Sequence, residues 1–275
     1  MIAFIRTAAF VLVAAYGVAL VVAFFFSDRM ILPAPSSTYE RRDPDMVTLR
    51  AIDGSALVGL HLPLEGARYA ILYSHGNFED IGLIRPRMEM LRELGFEVFG
   101  YDYRGYGLSE GTASVRAASE DARVAYTYLR DELGVPPTRV VLYGRSVGGG
   151  PTLQLAAAEP VAGVILEGAF TTAFRVVTQV PVLPFDRFPN ETLIDRVDAP
   201  VLIVHGRRDR VVPFRHGPAL FQAAREPKRH SWFDRAGHND IPETAWEQYA
   251  AAVRAFAVDL QAAEPGGPDP GAEEP

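Results

Sequence analysis

The sequence predicts an α/β fold: a mostly parallel sheet of eight strands with helices on both faces, preceded by an apolar amino-terminal helix. Two patterns predict it. Short apolar, β-branched runs alternate with helical patterns from Met46 onward. The residues able to do chemistry fall in turns directly after such runs, where ligands bind in sheets of this kind.

The runs are Val47 to Ala51, Ala56 to Leu62, Tyr69 to Ser74, Glu97 to Tyr101, Val140 to Tyr143, Val161 to Leu166, Val201 to Val204 and Ser231 to Phe233. The first two flank Asp53-Gly54, a hairpin signal, so that pair should be antiparallel. Helices are expected over Arg85 to Leu94, Val115 to Leu133, Pro151 to Ala158 and Glu243 to Ala262. In the second of these, Val115, Ala118, Ala122, Ala125 and Leu129 recur every three or four residues, as a core-facing stripe does.

The chain has 275 residues, 48% hydrophobic and 22% charged, enough to bury one sizeable core. A formal charge of −7 argues against a nucleic-acid surface, which needs clustered positive charge. No cysteine is present, which excludes disulfides, thiolate catalysis and cysteine-ligated metal. His205, His216, His230 and His238 show no metal-ligand spacing, so neither metal nor cofactor is expected.

Thr7 to Ser27 carries no charge over about the length of a bilayer core, bracketed by Arg6 and Asp28-Arg29. An uncleaved single-pass anchor is the reading; a cleaved signal peptide is the alternative, but its apolar region would be shorter and end in small residues rather than Phe24-Phe25-Phe26. Arg6 and the amino group face Arg29, Arg41 and Arg42 across the segment, so the positive-inside count does not set the side. The expected division is 1–31 anchor, 32–45 extended proline-containing linker, 46–262 catalytic domain and 263–275 acidic, disordered tail.

Ser146 lies in Gly144-Arg145-Ser146-Val147-Gly148, directly after the run that ends at Tyr143. A serine on a sharp strand-to-helix turn between glycines is a nucleophile elbow. Asp209 follows the run ending at His205, and His238 follows the last run, in the order Ser, Asp, His. These types are needed together because a serine hydroxyl attacks only when an imidazole takes its proton, and a carboxylate must orient that imidazole. His75-Gly76-Asn77 ends an early strand, so the backbone N–H groups of Asn77 and Val147 are the candidate oxyanion donors. His75 is read as a brace of that loop, Asp102 and Arg104 as a charged brace of the glycine-rich loop after them, and Asp240 as a helix cap.

The stretch from Phe170 to Phe188 is long, apolar and broken by Pro181 and Pro184, which suggests a short cap over the pocket mouth favouring an acyl chain. Sealing of the sheet edge is the competing reading.

With these motifs in place, Met46 to Leu260 resembles the α/β-hydrolase superfamily. It is nearest to the membrane-associated α/β-hydrolase-domain proteins that include acyl-protein thioesterases. The matching pieces are Ser74-His75-Gly76-Asn77, Asp102 to Gly111, the Ser146 pentapeptide, Phe188-Pro189-Asn190, Val204-His205-Gly206 with Asp209, Val212 to Gly217, and Gly237-His238-Asn239-Asp240. The resemblance implies Ser146 as nucleophile, Asp209 as orienting acid and His238 as base. It departs at the amino terminus, where those relatives carry cysteines and this chain has none.

The expected function is therefore a membrane-anchored serine hydrolase acting on a carboxylic ester or thioester, a small or lipid-like acyl substrate, through an acyl-enzyme. The alternatives are a serine peptidase of the same fold and a non-catalytic membrane scaffold.

Overall fold

The computed structural model describes residues 1–40 and 43–263. Arg41, Arg42 and all but the first residue of the expected tail lie outside the described residues. Strands β1 (Met46–Arg50), β2 (Ala56–Leu62), β3 (Ala70–Ser74), β4 (Glu97–Tyr101), β5 (Val140–Arg145), β6 (Gly163–Glu167), β7 (Val201–Gly206) and β8 (Lys228–Phe233) form one sheet in the order 1-2-4-3-5-6-7-8. β2 pairs antiparallel with β1 and with β4, and the pairs from β4 to β8 are all parallel. The helices are α1 (Ile2–Ile31), α2 (Ile81–Glu93), α3 (Val115–Asp131), α4 (Gly149–Ala156), α5 (Asn190–Ile194), α6 (His216–Ala223) and α7 (Ile241–Ala263), the last with a non-helical residue at Ala245.

Central β5 shows why its run carries no polar alternation. Val140 and Leu142 pack into one buried cluster with Ala118, Ala122 and Leu153, while Val141 and Tyr143 pack into the other with Met88, Val253 and Phe256. Both faces are covered, so the run from Val140 to Tyr143 is apolar without alternation. The stripe on α3 is the matching surface: Ala118, Ala122, Ala125 and Leu129 are buried, and Ser114 caps the helix by accepting from Ala117 N–H at 3.0 Å.

Two expectations change. Helix α2 begins at Ile81 rather than Arg85, because buried Asp80 caps it, accepting from Leu83 N–H at 2.9 Å. Burial of Ile81, Ile84, Met88 and Leu91 then carries the helix through Pro86. The proline-containing segment after α1 is docked on the domain: Leu32 is buried, Thr38 donates to Asp80 from its N–H (2.6 Å) and its hydroxyl, and Tyr39 Oη donates to Asp102 Oδ2 at 2.5 Å. Asp102 and Arg104, read as a charged brace of the loop after them, each find separate partners. Asp102 accepts from Ile81 N–H at 2.9 Å, while Arg104 turns to Asp121 and Glu120 on α3 and to Asp53.

Candidate active site

β5 delivers Ser146 at its carboxyl end, followed by a single 3₁₀ turn and α4. Ser146 has φ +54°, a conformation that costs a non-glycine residue about 1–3 kcal/mol and persists only where the surroundings enforce it. The flanking glycines make the turn possible through space. A Cβ at Gly144 would lie 2.8 Å from Gly149 Cα, and one at Gly148 would collide with the carbonyl oxygens of Ser74 and His75 at the end of β3. The elbow therefore sits against the loop that carries Asn77.

The structure brings Ser146, His238 and Asp209 together. Ser146 Oγ is 2.9 Å from His238 Nε2, and His238 Nδ1 is 2.6 Å from Asp209 Oδ2; all three residues are buried. An ionised carboxylate only accepts, so Nδ1–H donates to Asp209 and leaves Nε2 free to accept from the Ser146 hydroxyl. The other carboxylate oxygen, Oδ1, accepts from Val211 N–H at 2.9 Å and Val212 N–H at 2.7 Å. Burial pushes the Asp209 pKa up, but the His205 and His238 imidazoles outweigh it and hold the carboxyl well below its usual range. Asp209 is thus ionised at neutral pH. His205, with Nε2 3.4 Å from Asp209 Oδ2 and 3.0 Å from Val212 O, is a second histidine at this acid that its position inside β7 gave no reason to expect there.

Asn77 and Val147 line the same cavity as Ser146. His75 Nδ1 donates to Gly76 O at 2.9 Å, and Nε2 is 3.4 Å from Asp102 Oδ1, so the residue stands behind the loop. Asp240 accepts from Gly237 N–H at 2.6 Å through its side chain and from Thr244 N–H through its carbonyl. Its carboxylate therefore shapes the His238 loop instead of capping α7.

The site also contains a brace that no sequence pattern indicated. Buried Arg145 pairs through Nη1 with Glu79, and through Nε with fully buried Glu167 at 3.3 Å. Its Nη2 donates to Asn239 Oδ1 at 2.6 Å and to His238 O at 3.3 Å. Glu79 in turn accepts from Gly76 N–H at 2.6 Å. One guanidinium thus ties together the serine turn, the Asn77 loop and the histidine loop. The five donors of arginine in a rigid fork suit such a junction, and the middle position of a GxSxG pentapeptide offers no clue to it.

Ser146 stands between two unlike cavities. On one side is an apolar space of about 530 Å³, whose walls include Phe170, Phe174, Val176 and Leu183 of the expected cap, and Val22 and Ala23 of α1. On the other, a space of about 540 Å³ carries Arg87, Arg145, Glu79 and Glu243 beside His238. The segment after Phe170 therefore covers the site rather than the sheet edge, and α1 shares the work. Among the described residues, no cluster of acidic and histidine side chains is arranged to hold a metal.

Comparison with known proteins agrees with this architecture. A family model described as serine aminopeptidase, S33, matches residues 65–186. The human alpha/beta hydrolase domain-containing protein 17B is 36% identical over 193 residues, covering 69% of this chain and 66% of that protein. The Xenopus tropicalis alpha/beta hydrolase domain-containing protein 17C is 35% identical over 225 residues, covering 79% and 72%. The chain thus spans about two thirds of the length of these relatives. Among solved structures, an esterase of Pyrococcus furiosus superposes with a TM-score of 0.68 at 17% identity, covering 83% of this chain and 98% of the esterase, a likeness of fold.

Proposed function

The chain belongs to the α/β-hydrolase family, of the type of the alpha/beta hydrolase domain-containing proteins 17B and 17C, and on that premise we propose that it is a membrane-anchored serine hydrolase. In this reading 1–31 anchors, 46–262 catalyses, and the bond cleaved is a carboxylic ester or thioester with an apolar acyl group. The observation that carries it is the relay from Asp209 through His238 to Ser146, set at the boundary between an apolar cavity and a charged one.

His238 Nε2 takes the hydroxyl proton as Ser146 Oγ attacks the acyl carbon. The Asn77 and Val147 N–H groups hold the developing oxyanion, an interaction of about 3–4 kcal/mol per donor in sites of this kind. His238 passes the proton to the leaving group, which departs on the charged side. The acyl chain stays in the apolar cavity as the Ser146 ester. Water then enters and gives a proton to His238 as its oxygen bonds to the acyl carbon; the Ser146 Oγ–C bond breaks, His238 returns the proton to Oγ and the acid leaves, with no cofactor taking part.

The matched family's description favours a peptidase as a second reading. An aminopeptidase must hold an α-ammonium beside the scissile bond; in the charged cavity Glu79 is taken by Arg145 and Gly76 N–H and Glu243 by Arg87, and among the described residues lining the apolar cavity the sole carboxylate is Asp186. Its oxygens already accept from Thr172 Oγ1 at 2.6 Å and from the N–H groups of Phe174 and Arg187 at 2.9 and 2.7 Å. The ester reading is therefore preferred.

The test is hydrolysis of p-nitrophenyl esters of graded chain length and of aminoacyl p-nitroanilides by the full chain and by Ser146→Ala. Ester turnover that rises with acyl length and vanishes in the variant is expected. Equal rates for both proteins would end the hydrolase reading, and turnover of anilides alone would replace it with the peptidase.

A further inference from the structure

The amino-terminal helix is part of the cavity beside Ser146. Ala19, Val22, Ala23, Ser27 and Met30 of α1 face it together with the cap. The two elements are fastened at both ends. Tyr16 Oη donates to Val182 O at 2.9 Å; at the base Arg187 donates to Ser27 Oγ at 3.0 Å and to Phe24 O at 2.9 Å, with Asp28 3.5 Å away. Between these points the Phe24 and Phe185 rings meet edge to face.

From Ser27 to Tyr16 the helix rises about 16 Å at ~1.5 Å per residue. Half of a bilayer core is about 15 Å. If α1 crosses the membrane, the cap tip cannot stay in water. Its composition agrees: positions 177–185 carry no charge, Val177 is 88%, Val180 63% and Val182 51% exposed, and Pro181 and Pro184 remove two backbone donors that hydrocarbon could not satisfy. Charge returns on both sides of the tip, at Arg175 before it and Asp186 and Arg187 after it, and on α1 at Asp28 and Arg29, with Arg187 3.5 Å from Asp28.

Resting on the anchored-hydrolase reading, we propose that the cap tip at 177–182 is immersed in the leaflet beside α1, and that the acyl cavity opens there. The substrate is then an amphiphile resident in the bilayer. Its hydrocarbon chain enters between α1 and the cap without passing through water, and its polar part lies on the charged side of Ser146. The exposed valines contact lipid, and α1 forms one wall of the acyl site as well as the anchor.

The cysteine-free sequence makes the test direct. Val180→Cys, Val18→Cys and Val258→Cys are each made in the full chain, labelled with an environment-sensitive fluorophore and reconstituted in phosphatidylcholine vesicles carrying doxyl groups along the acyl chain. Val18 is exposed on α1 and Val258 on α7. Quenching at positions 18 and 180 but not at 258 is expected. Quenching at 18 alone would overturn the proposal while leaving the anchor intact; no quenching at 18 would overturn both. In parallel, Ala23→Trp narrows the cavity from the α1 side, and the ratio of kcat/KM for dodecanoate over butyrate esters should fall at least ten-fold. An unchanged ratio would remove α1 from the acyl site.

Discussion

Arg145, the residue before the candidate nucleophile, donates from Nη2 to the side chain of Asn239, the residue after the candidate base, at 2.6 Å. The two loops are far apart in sequence, and their spacing sets how closely His238 Nε2 approaches Ser146 Oγ. Because the same guanidinium also meets Glu79 and Glu167, the positions of all three loops depend on one side chain.

Arg145→Ala should therefore act twice. It leaves the buried Glu167 carboxylate with Arg87 as its one cation beside the Tyr143 hydroxyl, and removes the cation from Glu79, a loss of about 3–5 kcal/mol for a broken buried pair, read as a fall in the urea midpoint. It also frees the histidine loop. Arg145→Lys keeps the charge but not the fork, and should recover most of the stability while kcat stays depressed by roughly ten-fold or more. If the lysine variant matches the native kcat, the brace has no part in positioning His238.

Asp209→Asn presents an amide in place of an acceptor to His238 Nδ1–H. The imidazole then has reason to carry its proton on Nε2, the wrong nitrogen for Ser146, and kcat should drop by about 10⁴ with little change in fold. Steady-state kinetics with circular dichroism on the same preparation checks both halves.

Gly148→Ala tests the elbow. The glycine has φ −60°, which alanine adopts freely, so any damage must come from its Cβ meeting the Ser74 and His75 carbonyls. A loss of about 2 kcal/mol or more and slower fluorophosphonate labelling of Ser146 are expected, in the range of other overpacked sites. Native labelling would show that the β3 loop can yield.

His216 supplies a pH signature. It is buried, Thr171 N–H donates to its Nδ1 at 3.3 Å, and burial, then the Arg215 and His205 charges, lower its pKa from 6.5 to about 4. Between those values the unfolded chain binds the extra proton, so stability falls as pH drops from about 6.5 to about 4 and changes no further from this group below that. The contribution is about 3 kcal/mol. In urea titrations at pH 7.5 and 4, His216→Asn should lose that much less than the native protein across the interval.

The eight strands, the helical stripe on α3 and the order Ser, Asp, His could all be read from the chain. Each is a local pattern: a period of two or of 3.6, or a glycine-bounded turn after an apolar run. A charged brace at Asp102 and Arg104 could be anticipated from the glycine-rich loop, but its partners could not, since Arg104 found its acids on α3 and at Asp53. The docking of Tyr39 on Asp102 was equally invisible, since a proline-containing segment has the same composition whether it is tethered or packed.

Sequence alone singled out the residues proposed to carry the chemistry and showed that an apolar helix precedes the domain, because side-chain type and periodicity are properties of single segments. Only the tertiary structure decided that Arg145 joins three loops and that α1 walls the apolar cavity beside Ser146. Those outcomes depend on distances between segments far apart along the chain, and such distances are set by packing of the whole sheet and its helices rather than by any local preference.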